Sequence, residues 1–204
     1  MIIKYLSLFT GIAGFELGIQ RAYEDISITQ RKKQGRIKKN SSNTKFKQLG
    51  SKQPTCIGYS EIDKYACQVY KKHFPKHKQY GDITKIIAKD LPDFDLLVGG
   101  FPCPSFSIAG KRQGLDDTRG QLVFDIVRIL RCKKPKMFLL ENVKGLISHD
   151  NGKTMETICE ELCKCDYAID FEVLNSKNFG VPQNRERVFI VGKRLDTLPE
   201  GAIY

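Results

Sequence analysis

A chain of 204 residues, 41% hydrophobic and 28% charged, is long enough for one globular domain with a sizeable core. Its apolar runs are too short to span a bilayer, its start lacks a signal-peptide layout, and its seven cysteines are odd in number and irregularly spaced. Membrane-spanning and disulfide-stapled classes are thereby set aside for a reduced, cytoplasmic protein, and the net charge of +11 points toward nucleic acid.

Ile2 to Phe9 reads as a first strand, followed by the small-residue turn Thr10-Gly11-Ile12-Ala13-Gly14 and an amphipathic helix from Phe15 to about Tyr23. Between Thr29 and Gln53 lie nine cations and no acid: Arg31, Lys32, Lys33, Arg36, Lys38, Lys39, Lys45, Lys47 and Lys52. Only +2 of the net charge is left for the rest of the chain. This stretch has almost no apolar periodicity and is expected to be a solvated, mobile insertion at about 29–53. It serves either as a solubilising loop or as an arm touching phosphates.

Cys56 to Ser60 reads as the second strand, ending at Glu61, and Asp63 is placed to cap a helix running to about His73. Gly81-Asp82-Ile83-Thr84 is a strand-end loop. Phe94 to Val98 is a buried strand leading into Gly99-Gly100-Phe101-Pro102-Cys103-Pro104-Ser105. A helix from Gly120 to Arg131 carries Leu122, Ile126, Ile129 and Leu130 on one face. Lys136 to Leu140 is the next strand, closed by Glu141-Asn142-Val143. A helix from Lys153 to Cys165 and strands at Ala168–Leu174 and Arg187–Val191 complete the order. Strand alternating with helix predicts an α/β fold, a doubly wound, mostly parallel sheet.

Candidate functional residues cluster at predicted strand ends, where open α/β sheets bind ligands. Cys103 stands between two prolines that stiffen its turn, which suits a nucleophile; cysteine is also a common core residue. Gly11, Ala13 and Gly14 let a ligand approach the backbone. Glu61 follows Gly14 by 47 residues, whereas a ribose-binding acid usually comes about 20 on. Leaving out the basic insertion restores the spacing. Asp82 can accept from an adenine amino group or simply serve a turn. Glu141 ends a buried strand, a costly place for an unused carboxylate. Arg185 and Arg187, two apart in extended chain, can share a face that suits a phosphate or a carbonyl oxygen. Cys159, Cys163 and Cys165 lack metal-ligand spacing, so no metal site is expected.

Together and in order, these segments resemble the cytosine-5 DNA methyltransferases over Ile2 to about Arg194. The matching blocks are Leu8–Phe15, Glu61–Ala66, Gly81–Thr84, Gly100–Ser107, Lys134-Pro135-Lys136, Glu141-Asn142-Val143 and Gln183–Arg187. Ala13 stands where glycine is usual in the family, and Pro104 where glutamine is common. The resemblance implies a Rossmann-like fold that uses S-adenosylmethionine, held by Phe9, Gly11, Gly14, Glu61, Ile62, Asp82, Ile83, Pro102 and Leu122. It implies catalysis by Cys103 attacking C6 of a flipped-out cytosine. Glu141 would hold the base edge, Arg185 its carbonyl, and Arg187 would support the loop. Ser105 to Gly120, hinged at Gly110 and Gly114, would form a lid over double-stranded DNA. Family enzymes continue into a target-recognition region and a Gly-Asn segment, neither visible before Tyr204. The expectations are therefore a restriction-modification methyltransferase working near the nucleoid, with a second chain or further segment supplying the rest. The rival readings are a non-catalytic or split-enzyme subunit and a tRNA cytosine-5 methyltransferase.

Overall fold

The computed structural model describes residues 2–33, 53–102 and 122–199, with the side chains of 27–33 outside that description. Cys103, the loop expected to form a lid, and most of the basic insertion therefore lie outside the described residues.

Six strands form one sheet in the order β2-β1-β3-β4-β6-β5. They are β1 (Lys4–Leu8), β2 (Thr55–Ser60), β3 (Leu96–Gly100), β4 (Met137–Val143), β5 (Tyr167–Asn175) and β6 (Glu186–Arg194). The helices are α1 (Gly14–Lys33), α2 (Lys64–His73), α3 (Leu122–Lys133) and α4 (Lys153–Cys163). The pairings β1–β2, β1–β3 and β3–β4 are parallel, while β6 runs antiparallel to both β4 and β5.

Both faces of the sheet are covered, which explains the near-continuous apolar strands. On one face Leu6, Leu8, Leu97, Phe138, Leu140, Val188 and Ile190 pack with Val123, Ile126, Val127 and Leu130 of α3 and with Met155, Ile158 and Leu162 of α4. The spacing of the α3 residues follows one side of a helix. A smaller cluster forms where Ala13, Tyr59, Cys67, Tyr70 and Phe74 meet, with the Tyr59 and Tyr70 rings stacked 3.8 Å apart. As expected, Asp63 caps α2, its Oδ1 accepting the Ala66 N–H at 2.6 Å.

Several element boundaries differ from the sequence reading, three of them for physical reasons that the structure shows. The first helix runs to Lys33 rather than to about Tyr23, entering the expected insertion by five residues. Nothing between Gly18 and Gly35 breaks a helix. At 20 residues α1 is ~30 Å long and overshoots the ~17 Å of the five-residue β1. Glu141-Asn142-Val143 belongs to β4 instead of closing it, because Phe189, Val188 and Arg187 of β6 pair with those residues. Strand β3 keeps Gly99 and Gly100. A Cβ on Gly99 would sit 3.0 Å from the Leu8 carbonyl oxygen, so the missing side chain lets β1 and β3 approach.

On the α1–α2 side, Glu16 in the first turn of α1 is fully buried. The Tyr70 hydroxyl lies 2.9 Å from both Glu16 Oε1 and His77 Nδ1. Burial pushes the Glu16 carboxyl above its ordinary value and the His77 imidazole below its own. A raised folded-state value means the folded protein binds this proton more tightly than the unfolded chain. The contribution is present below the unfolded value near 4.5 and is lost as pH rises through the folded value. Glu16→Gln should therefore stabilise the fold at pH 8 relative to the parent, with the advantage shrinking toward pH 4. Denaturant melts at the two pH values check this; equal effects at both would contradict it.

Candidate active site

The register of the sheet places the candidate residues. Leu8 lies opposite both Ser60 and Gly99, Gly99 opposite Leu140, and Gly100 opposite Glu141. The chain leaving β1, β2 and β3, and Glu141 near the end of β4, thus meet along one edge. Strand β1 has β2 on one side and β3 on the other, so the connections diverge there and leave a crevice at the strand ends.

The turn after β1 is conformationally unusual. Phe9, Gly11 and Ala13 have φ of +53°, +53° and +78°. A left-handed φ costs an L-residue roughly 1–2 kcal/mol, which explains why glycine is usual in the family where Ala13 stands. The Ala13 methyl is fully buried against the Tyr59 cluster, recovering about 0.8 kcal/mol of that cost. A Cβ on Gly11 or Gly14 would meet no atom within 4 Å, so the turn borders open space.

Glu61 spans this turn. Its Oε2 accepts the Gly11 N–H at 2.8 Å, and its Oε1 accepts the N–H groups of Ile62 and Asp63, each at 2.9 Å. A carboxylate has about four acceptor positions. Three are filled, which fixes the group and leaves Oε2 able to take one hydroxyl. Beside it, the Ile62 side chain is 77% exposed, an apolar plate at the mouth. Asp82 caps the short turn Ile83–Lys85. Its Oδ1 accepts both the hydroxyl and the N–H of Thr84, which hold its carboxyl below its usual range. It stays ionised near neutrality and acts only as an acceptor. Lys85 stands 3.9 Å from the other oxygen. The Ile83 side chain is in the core, so only its backbone remains to face a ligand. Phe9 and Leu122 are partly buried against the same core, and Pro102 is exposed.

Glu141 and Arg187 form the second half of the site. Arg187 Nε lies 2.8 Å from Glu141 Oε1, with both side chains about one-quarter exposed. Val143, two residues on from Glu141, pairs with Arg187 across β4 and β6, so the two side chains meet diagonally across the ladder. Arg185 precedes β6 and is exposed, and among the described residues no ion pair joins it to Glu141. The two arginines thus have different surroundings, and Arg187 does more than support a loop.

Two functional contacts escaped the sequence reading. Asn142 is buried and donates through Nδ2 to the Phe101 carbonyl at 3.1 Å. Its Oδ1 accepts the Val143 N–H at 2.8 Å. The strand bearing Glu141 therefore grips the backbone two residues before Cys103. The second contact is at Gly100, where a Cβ would lie 3.0 Å from Glu141 Oε2. The glycine pair after the apolar run was the available signal.

Crossing at a switch point, a small-residue turn after β1 and a carboxylate at the end of β2 define a Rossmann-like α/β fold. Solved structures agree on that fold. The S. pombe Dnmt2 methyltransferase aligns with a TM-score of 0.67 and 19% identity, covering all of this chain and 52% of that one. The Entamoeba histolytica methyltransferase EhMeth gives a TM-score of 0.67 and 21% identity, covering 100% and 56%. A family model for the C-5 cytosine-specific DNA methylases matches residues 3–201, and the chain belongs to that family. It is 56% identical over 189 residues to type II methyltransferase M1.ScrFI of Lactococcus lactis subsp. cremoris, covering 93% of this chain and 41% of the relative. It is 42% identical over 197 residues to M.NlaIV of Neisseria lactamica, again covering 93% and 41%. The chain thus spans less than half the length of these relatives. Among the described residues no helix is long and apolar enough to cross a membrane.

Because Arg187 pins the carboxylate, Glu141 cannot swing freely from a new neighbour. A Gly100→Ala variant should fold, yet displace the Glu141 carboxylate by a few tenths of an ångström and lengthen its contact with Arg187. A crystal structure of the variant checks this; an unmoved carboxylate would contradict it.

Proposed function

We propose that this chain is the catalytic part of an enzyme that transfers a methyl group from S-adenosylmethionine to C5 of cytosine in double-stranded DNA. The observation that carries the reading is the convergence on one sheet edge of Glu61, Asp82, the Asn142-gripped segment before Cys103, and the Glu141–Arg187 pair. Family membership and relatives named as type II methyltransferases support it, and favour a modification enzyme of bacterial restriction-modification, working on DNA in the cytoplasm.

The residues at the first half of the site fit a nucleoside. Glu61 Oε2 has one acceptor position for a ribose hydroxyl, Ile62 offers an apolar surface to a base, and ionised Asp82 can accept from an adenine amino group. Gly11 and Gly14 leave room beside the backbone, with Phe9, Pro102 and Leu122 around it. S-adenosylmethionine bound there supplies an electrophilic methyl group.

Cytosine C5 is a poor nucleophile, and the chain's own residues correct this. Cys103, as thiolate, adds to C6 and forms a C–S bond, which places electron density at C5. Glu141 accepts from the exocyclic amine with one oxygen and, through a proton held between its other oxygen and N3, offsets the negative charge that develops at N3. Arg187 keeps the Glu141 carboxylate aimed, while exposed Arg185 is available for the base carbonyl. Once C5 has gained its methyl group, loss of the C5 proton and cleavage of the C–S bond restore the ring and the thiolate. These atoms are buried in a duplex, so the cytosine must be flipped out.

The basic insertion is read as a peripheral arm. Strand β2, which follows it, begins at Thr55, opposite Lys4 at the start of β1. The insertion thus rejoins the fold at the sheet edge remote from the site. Target recognition and the remainder of the cofactor pocket belong to further polypeptide, in the same chain or a second one.

The chain, supplied with that remainder where required, should form a covalent adduct with DNA containing 5-fluorocytosine, because fluorine cannot leave as a cation. Cys103→Ser should abolish the adduct, since a serine hydroxyl is far less ionised than a thiol of pKa about 8.5. Glu141→Gln should slow trapping about a hundredfold or more with cofactor affinity nearly unchanged. Mass spectrometry of the trapped peptide is the measurement. An adduct on Cys56, Cys67 or Cys132, or full-rate methyl transfer by Cys103→Ser, would overturn the assignment.

A further inference from the structure

Arg128 lies two turns into α3, and with Asp125 three residues earlier it has the look of a surface ion pair on one helix. Its contacts are different. Nε and Nη2 both reach Asp125 Oδ1, at 3.1 and 2.9 Å. Nη1 donates to the Ile86 carbonyl at 2.7 Å, and Nη2 to the Ile83 carbonyl at 3.0 Å. Asp125 therefore aims a guanidinium that grips two backbone carbonyls on another element. Those carbonyls flank the short turn capped by Asp82.

The segment 81–86 lies in no strand, so its position depends on such ties. At its start, the Ser60 hydroxyl donates to the Gly81 carbonyl at 2.6 Å, which links it to the end of β2 beside Glu61. At its far end stands Arg128. Between the two, the Asp82 carboxylate is aimed by Thr84, within the turn that Arg128 holds. The Ile83 and Ile86 side chains are buried in the core independently of Arg128. Loss of the guanidinium should therefore loosen the direction of the turn without detaching it.

We infer that Arg128 is a positioning residue of the cofactor site, setting the turn that presents Asp82 to the adenine end of S-adenosylmethionine. The inference rests on the reading of Asp82 as a cofactor contact. A guanidinium has five donors in a rigid fork and can serve both carbonyls and Asp125 at once. An ammonium has no such fork, so lysine at this position should recover only part of the effect.

The test is calorimetric binding of S-adenosylhomocysteine to the full chain and to the variants Asp82→Ala, Arg128→Ala, Arg128→Lys and the Asp82→Ala/Arg128→Ala double. Each single alanine variant should weaken binding about tenfold, with Arg128→Lys in between and DNA affinity unchanged. The double variant should bind about as weakly as either single one, because both remove the same contact. Losses that multiply would mean that Arg128 acts independently of Asp82, and would overturn the inference. So would parent-like affinity in Arg128→Ala or, where that variant fails to fold, in a folded Arg128→Lys, while Asp82→Ala binds weakly. A silent Asp82→Ala would instead remove Asp82 from the pocket, and the underlying site reading would fail first.

Discussion

The site depends on how closely β1 and β3 lie together. Leu8 and Gly99 face each other at the end of the parallel ladder, and the missing side chain of Gly99 leaves room for the Leu8 carbonyl. Strands β2 and β4 then pair on the outer sides of these two. Their register brings Glu61 and Glu141 to the edge where the turn after β1 and the segment before Cys103 emerge. A slip of one residue would turn alternate side chains to the other face and separate these groups. The two buried faces make such a slip costly, because Leu6, Leu8, Leu97, Phe138 and Leu140 would all leave the main core.

Within that frame, each functional carboxylate is held in a different way. Three backbone N–H groups fix Glu61, the Thr84 hydroxyl and amide hold Asp82, and Arg187 pairs with Glu141. In each case one oxygen carries most of the positioning and the other keeps an acceptor position, although Glu61 Oε2 also takes the Gly11 N–H and Lys85 stands 3.9 Å from Asp82 Oδ2. That division suits binding sites, which need a rigid group with an unused acceptor. The half of the edge carrying Glu61 and Asp82 suits the nucleoside of the proposed reaction, and the half carrying Glu141 and Arg187 suits its base. Glu16 is different: it is buried under the sheet, bonded to Tyr70, and belongs to the scaffold.

Much of this was legible because local chemistry and tertiary structure agree. Apolar strands alternating with amphipathic helices announced the α/β sheet, and Asp63 announced the start of α2. The position of Glu61 at the end of β2 followed from the elements themselves, whereas Asp82 follows no strand and Glu141 lies inside β4. The order β4-β6-β5 was not legible, since chain order says nothing about which side a returning strand takes. The length of α1 was missed because its last turns carry polar residues that helices tolerate as readily as loops do. Asn142 and Arg128 were missed for a common reason. Each acts on a backbone carbonyl distant in sequence, 41 residues away for Asn142 and 42 and 45 for Arg128, and such partners leave no spacing pattern. Cys103 was singled out by its prolines and by its family block, and it lies outside the described residues.

The central claim is that the crevice between the ends of β1 and β3 is where the nucleoside binds. A crystal structure of the chain with S-adenosylhomocysteine tests it most directly. The account predicts a ribose hydroxyl on Glu61 Oε2, the base against Ile62 with its amino group toward Asp82, and the Gly11–Glu61 contact preserved at about its present 2.8 Å. A ligand bound elsewhere on the sheet, or a Glu61 carboxylate that leaves the Gly11 amide to reach it, would contradict it.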